Sequence, residues 1–271
     1  MLKNRLIFTL IYNNESYMLS RNFRIQTVGD LDWLKEYYNF NAIAFSIDEL
    51  VVLNVERKQK NIENFSKNLI QLSKNCFIPI SAGGGIRSLE DAYKLLNSGV
   101  DKLVINTPII ENPELVSSLA RTFGSQCIIA SIDCKKEGNN YTVYIQNGLK
   151  NTGLTMDEVL QKAEKLGMGE IYLTSIERDG TGQGLDMELI KRAGNLTTLP
   201  IIASGGVGKY EHFIECMKNG YAVATANIYN FIVDGLIKAR QSIQRQNIEL
   251  ATWDYDLQSL HNYFKKNNLI V

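Results

Sequence analysis

Eight short β-branched runs alternate with amphipathic segments along this chain, and a glycine-rich pattern returns at a fixed offset. Together they predict an α/β protein folded as a single (β/α)8 (TIM) barrel made of two similar halves. The first copy of the pattern reads Ala82-Gly83-Gly84-Gly85-Ile86, followed by Asn97-Ser98-Gly99 and Asn106. The second reads Ala203-Ser204-Gly205-Gly206-Val207, followed by Lys218-Asn219-Gly220 and Asn227. Ala82 and Ala203, Gly85 and Gly206, Gly99 and Gly220, and Asn106 and Asn227 all lie 121 positions apart. Unrelated glycine clusters would not hold one offset over so many landmarks. The length, 271 residues, suits one such barrel. A doubly wound sheet is the rival architecture, but it explains the half-length repeat less well.

Taken in order, the strand candidates are 6–11, 49–53, 78–81, 102–105, 127–132, 170–174, 200–203 and 222–226. Helical periodicity occupies 61–74, 89–97, 112–122, 156–166, 187–193 and 209–219. Residues 13–30 are expected to form one long loop after the first strand, and such loops often close over a ligand. No Pro- or Ser-rich linker divides the chain. The barrel is expected to span residues 1–250, with a C-terminal extension at 251–271 that opens on Trp253-Asp254-Tyr255-Asp256.

Composition excludes several classes of function. Lys and Arg together number 29, as do Asp and Glu, so no basic field suggests nucleic acid or an anionic membrane as partner. No apolar run approaches the roughly 18 residues of a membrane span, and the first residues lack the apolar core of a signal peptide. Cys76, Cys127, Cys134 and Cys216 form no CxxC pair, which fits buried thiols in a reducing, cytoplasmic setting. The two histidines, His212 and His261, stand at no zinc-like spacing, so neither metal nor cofactor is expected.

In a (β/α)8 barrel the loops after the strands form the active face. Gly83-Gly84-Gly85 follows the third candidate strand and Gly205-Gly206 the seventh. Glycine lets backbone amides approach an anion without a Cβ in the way. A lone Gly pair would more simply make a tight turn. Two copies in register, each with a downstream Asn, instead read as two phosphate grips and a ligand phosphorylated at both ends.

The residues also carry a resemblance. Ser81-Ala82-Gly83-Gly84-Gly85-Ile86, Asp101-Lys102-Leu103-Val104-Ile105-Asn106-Thr107 and Phe123-Gly124-Ser125-Gln126 resemble the cyclase subunits of imidazole glycerol phosphate synthase, the HisF family. So do Gly169-Glu170-Ile171-Tyr172-Leu173-Thr174-Ser175-Ile176, Arg178-Asp179-Gly180-Thr181 and Thr198-Leu199-Pro200-Ile201-Ile202-Ala203-Ser204-Gly205-Gly206. Those barrels work with a glutaminase in histidine biosynthesis. The resemblance implies one phosphate near Gly85, Asn106 and Thr107, and another near Asp179, Gly180, Gly206, Ala226 and Asn227. It further implies an ammonia gate at Arg5, Glu49, Lys102 and Glu170, with Asp101 at the glutaminase interface. The blander reading of these charges is a set of solvated salt bridges at a barrel end.

The catalytic pair departs from the family pattern. The family uses two carboxylates as proton shuttles, one ending strand one and one ending strand five. The second is Asp133 here, although a carboxylate at a strand end can also simply cap a loop. The first is replaced by Ile11, which cannot move a proton, and Leu19 stands where the family has a substrate-binding lysine, with Arg21 two residues on. Three functions follow from the resemblance. One is a divergent ammonia-using synthase subunit for surface-polysaccharide or nonulosonic-acid amidination, working with a glutaminase and a sugar amidotransferase. The others are an ordinary histidine-pathway cyclase, and a non-catalytic barrel that conducts ammonia and activates its glutaminase.

Overall fold

A computed structural model describes residues 4–38, 43, 46–57, 60–74, 76–226 and 235–251. Its elements in chain order are β1 (Leu6–Asn13), β2 (Ser16–Arg21), β3 (Arg24–Gly29), α1 (Leu31–Tyr38), β4 (Glu49–Asn54) and α2 (Ile62–Ser73). Next come β5 (Ile80–Gly83), α3 (Leu89–Leu96), β6 (Lys102–Ile105), α4 (Pro108–Glu111), α5 (Pro113–Phe123), β7 (Ile128–Glu137), β8 (Asn140–Ile145) and β9 (Lys150–Thr155). The described elements close with α6 (Met156–Lys165), β10 (Glu170–Ser175), α7 (Met187–Leu196), β11 (Ile201–Ser204), α8 (Tyr210–Met217), β12 (Ala222–Thr225) and α9 (Gly235–Gln244).

The eight strands expected from the sequence pair in parallel in the order β1-β4-β5-β6-β7-β10-β11-β12, and β12 returns to β1. This closed parallel barrel, with helices between its strands, is the predicted (β/α)8 fold. The strands are nearly continuous apolar runs because both faces are covered. Ile7, Val51, Val104, Ile129, Tyr172, Ile202, Ala222 and Ala224 fill the lumen, while a larger apolar layer lies between barrel and helices. Local sequence starts the helices. Asn61, Ser88, Asn112 and Asp186 accept from backbone amides in the first turns of α2, α3, α5 and α7, and Thr155 with Glu158 forms a capping box on α6.

The segment 13–30 is not a loop, which corrects the expectation. It forms the antiparallel hairpin β2–β3, laid against the outward extension of β1 with Ile11 opposite Met18. Its turns use Asn14, Glu15, Asn22 and Phe23 at positive φ, without the glycine that usually signals such a turn. The second half carries a matching device: β7 runs on past Asp133 into the hairpin β8–β9. The repeat thus extends to the flaps on the active face.

The expected extension is described only at residue 251. Among the described residues no helix is long and apolar enough to cross a membrane, and no cluster of His, Cys, Asp and Glu could hold a metal ion.

Candidate functional site

A cavity of about 620 Å³ opens at the carboxyl ends of the strands, lined by residues from both halves. The first glycine loop forms one end. Gly84 and Gly85 have φ of 103° and 92°, and their equivalents Gly205 and Gly206 have 92° and 108°, so the sequence repeat is also a repeat of backbone shape. A Cβ on Gly84 would lie 2.2 Å from Asn54 O, and one on Gly205 would lie 2.7 Å from Ser175 O. Asn54 and Ser175 are themselves 121 positions apart and end β4 and β10.

Asp133 is buried in the cavity wall at the end of the barrel segment of β7. Asn106 Nδ2 donates to Asp133 Oδ2 at 3.1 Å and to Ser131 O at 3.0 Å; Thr107 Oγ1 in turn donates to Asn106 Oδ1 at 3.3 Å. Burial, then the charge of Asp179, pushes the Asp133 carboxyl up to about 7, against the hydrogen bonds from Thr174 and Asn106 and the attraction of Lys60. A carboxyl poised there can both take and give a proton near neutrality. Ile11, also in the wall, is buried and apolar.

Asp179 and Gly180 lie on the loop after β10, where they dock the β2–β3 hairpin. Ser20 Oγ donates to Asp179 Oδ2 at 2.5 Å, Phe23 N donates to the same oxygen at 3.0 Å, and Asn22 N donates to Asp179 O at 2.9 Å. Gly180, at φ 67°, leaves room for Ser20 O, which a Cβ would approach to 2.0 Å. Burial raises the Asp179 carboxyl while those donors oppose it. Its carboxylate is therefore committed to the hairpin, and its charge would repel a phosphate. Gly206 O accepts from Gly184 N at 2.8 Å, and Ala226 lines the cavity. Asn227 lies outside the described residues. Arg21 lines a separate cleft with Arg24 and Lys135, not this cavity.

At the opposite barrel mouth four charges close a ring. Arg5 binds Glu49 at 2.7 Å and also pairs with Glu170; Lys102 Nζ reaches Glu170 at 2.9 Å and Glu49 at 3.5 Å. Ser81 Oγ donates to Glu49 at 2.6 Å. Burial alone would raise the Glu170 carboxyl, but Arg5 and Lys102 outweigh it and hold it low. Asp101 is exposed beside this ring, one oxygen accepting from Ile80 N at 2.8 Å. Between ring and cavity stands Tyr172, its hydroxyl 2.8 Å from Thr9 Oγ1 and 3.1 Å from Ser204 Oγ.

Sequence reasoning passed over three residues of the site: Asn54, Lys60 and Tyr172. Tyr172 had a signal, since a hydroxyl in the middle of an apolar barrel strand needs partners inside the lumen. Lys60 sits at the end of the charged stretch 56–60, where nothing local separates a cavity residue from a solvated one.

A closed parallel barrel, with a largely apolar cavity holding a few convergent polar groups at one mouth and a charge ring at the other, defines the class: a (β/α)8 protein whose candidate site lies at its strand ends. A family model described as "Histidine biosynthesis protein" matches residues 34–230. The chain is 41% identical over 256 residues to a protein of Parasynechococcus marenigrum named, provisionally, imidazole glycerol phosphate synthase subunit hisF2; the match covers 93% of this chain and 95% of that one. It is 40% identical over 204 residues to subunit HisF of Pyrobaculum aerophilum, covering 75% and 81%. Against subunit HisF of Streptococcus mutans it is 34% identical over 255 residues, covering 92% and 100%. The chain belongs to the HisF family, the cyclase subunits of imidazole glycerol phosphate synthase.

Proposed function

We propose that this chain is the ammonia-using synthase subunit of a glutaminase-dependent complex, and that Asp133 moves the protons of its reaction. The observation that carries this reading is the alignment of three features along one barrel axis. The ring Arg5–Glu49–Lys102–Glu170 lies at one mouth, an apolar lumen follows, and Asp133 opens into the cavity at the other mouth. Ammonia released by a HisH-like glutaminase docked around Asp101 would pass the ring and reach the cavity without meeting solvent. The first grip, with Gly85, Asn106 and Thr107, and the second, with Gly180, Gly206, Ala226 and Asn227, hold the two phosphates of a small acceptor. Asp179 serves the second grip through the backbone it positions.

Ile11 favours an acceptor other than the histidine precursor, because a barrel with one proton shuttle is poorly equipped for the ordinary cyclisation. Amidination of a surface sugar, with a sugar amidotransferase downstream, is one such reaction and rests on Ile11 beside the ring alone. The histidine-pathway cyclisation fits no worse, since the relatives' names point there. The deciding assay supplies the ribulosyl histidine intermediate with ammonium salt. Turnover at an ordinary cyclase rate removes the divergent acceptor. Its absence, followed by rescue in Ile11→Asp, assigns the loss to the missing shuttle. Mixing with a HisH-like glutaminase tests the complex: neither binding nor stimulated glutamine hydrolysis would remove the ammonia route.

A further inference from the structure

The first-grip end of the cavity carries one buried donor without a partner among the described residues, Asn54 Nδ2, and beside it an ammonium, Lys60, engaged in a single hydrogen bond. Asn54 is 2% exposed and lines the cavity. Its Oδ1 accepts from Glu56 N at 2.9 Å, which fixes the orientation of the amide, and its Nδ2 is buried with no partner. A buried donor left unpaired is a cost that a ligand's acceptor would remove. Lys60, just before the N-cap of α2, lies across the same glycines. A Cβ built on Gly85 would meet Lys60 Cβ at 3.0 Å and Cδ at 3.4 Å. Lys60 Nζ donates to Asn54 O at 2.6 Å, the carbonyl that a Cβ on Gly84 would strike. An ammonium has three donors, and among the described residues Lys60 forms no salt bridge.

We propose that Lys60 is a ligand-binding residue of this cavity: its ammonium, together with the Asn54 amide, closes on the anion held by Gly84 and Gly85 and makes this end specific for a phosphate ester over a neutral sugar end. This rests on the reading of the glycine loops as anion grips and adds to it a cation from the loop after β4. Arg21 lines a separate cleft, whereas Lys60 brings positive charge to this cavity from the segment after β4. Arg87, following the grip, faces Lys60 as well, as do Glu56 from its own segment and Asp133 from β7. Burial lowers the Lys60 ammonium to about 8, opposed by Glu56, with Arg87 adding to the fall and Asp133 resisting it. An incoming anion would hold the proton on.

Sulfate is the probe, because it keeps its charge where a phosphate monoester titrates near about pH 6. Its affinity for the wild-type chain should fall above about pH 8. Lys60→Gln should weaken binding at neutral pH by about tenfold to a hundredfold, the range of one charge-assisted hydrogen bond. Lys60→Arg should bind at neutral pH and lose the decline above pH 8, while any contribution from Asp133 persists in all three proteins. Equal affinity in wild type and Lys60→Gln would overturn the proposal. Crystals soaked in sulfate distinguish the two layers of the argument. Sulfate on the Gly84 and Gly85 amides with Lys60 Nζ at about 3 Å supports both. Sulfate there with Lys60 still on Asn54 O overturns the Lys60 assignment and leaves the grip. A crystal with no sulfate at Gly84 and Gly85 overturns the grip and the proposal with it.

Discussion

Asp133 sits in a wall that disfavours its charge, and that choice has a stability consequence. Its carboxyl is raised to about 7 in the fold, while an unfolded chain gives it an ordinary value near ~3.9. The folded state therefore binds the proton more tightly. Stability from this group is full below about pH 4 and is lost as pH rises through 7, by as much as about 4 kcal/mol. Asp133→Asn, which still accepts from Asn106, should leave the Tm unchanged at pH 4 and raise it by several degrees at pH 8, read by calorimetry. The same variant should lose about 10²–10⁴-fold in synthase rate if Asp133 moves the proton. A variant both more stable and less active marks a strained functional group; one unchanged in both would mark Asp133 as a simple loop cap.

At the level of elements, the two hairpins are where sequence and structure part company. The eight barrel strands were legible because both faces are buried, so each reads as a compact apolar run such as Leu6–Asn13 or Glu170–Ser175. The hairpin β2–β3 was not, since β3 is largely exposed and its turn residues Asn22 and Phe23 give no glycine signal. Asp179 and Gly180 were legible as special positions, but what they grip lies more than 150 residues earlier in the chain. The repeat of the glycine loops was readable from spacing alone, whereas Lys60 and Asn54 come together at the first of them only when β4 is laid beside β5. Gly180→Ala tests the docking. The added Cβ would strike Ser20 O at a positive φ, so we expect a loss of about 1–3 kcal/mol. Limited proteolysis should then cut preferentially within 13–30, and unchanged protection would contradict the assigned role.

For the molecule as a whole, the charge ring and Tyr172 divide the lumen into a mouth, a shaft and a floor. Lys102→Met leaves Glu49 and Glu170 sharing Arg5 in a partly buried setting, a change worth about 3 kcal/mol. The Glu170 carboxyl is held low in the fold, so that stabilisation is present above its unfolded value and fades as pH falls through the folded one. The Tm difference from wild type should be large at pH 7 and shrink toward pH 3. Tyr172→Ala should cost about 3–5 kcal/mol and open a void between ring and cavity that xenon under pressure would occupy in the crystal. A refilled lumen with no xenon would show that the shaft collapses. Above the floor, the flaps of the two halves are buckled to each other. Arg57 donates to Phe23 O at 3.1 Å, and Asn147 Nδ2 donates to Val55 O at 2.8 Å. The Phe23 ring lies against Gly148, and Asn22 and Phe23 hang from Asp179. Apart from the Arg57 contact, each of these ties a residue of the first repeat to one of the second. An ancestral half would have had a flap but nothing to fasten it to. Doubling the chain thus supplied more than a second glycine loop: it gave the flap of each half a partner in the other, so that the two together form a clasp across the mouth of the cavity.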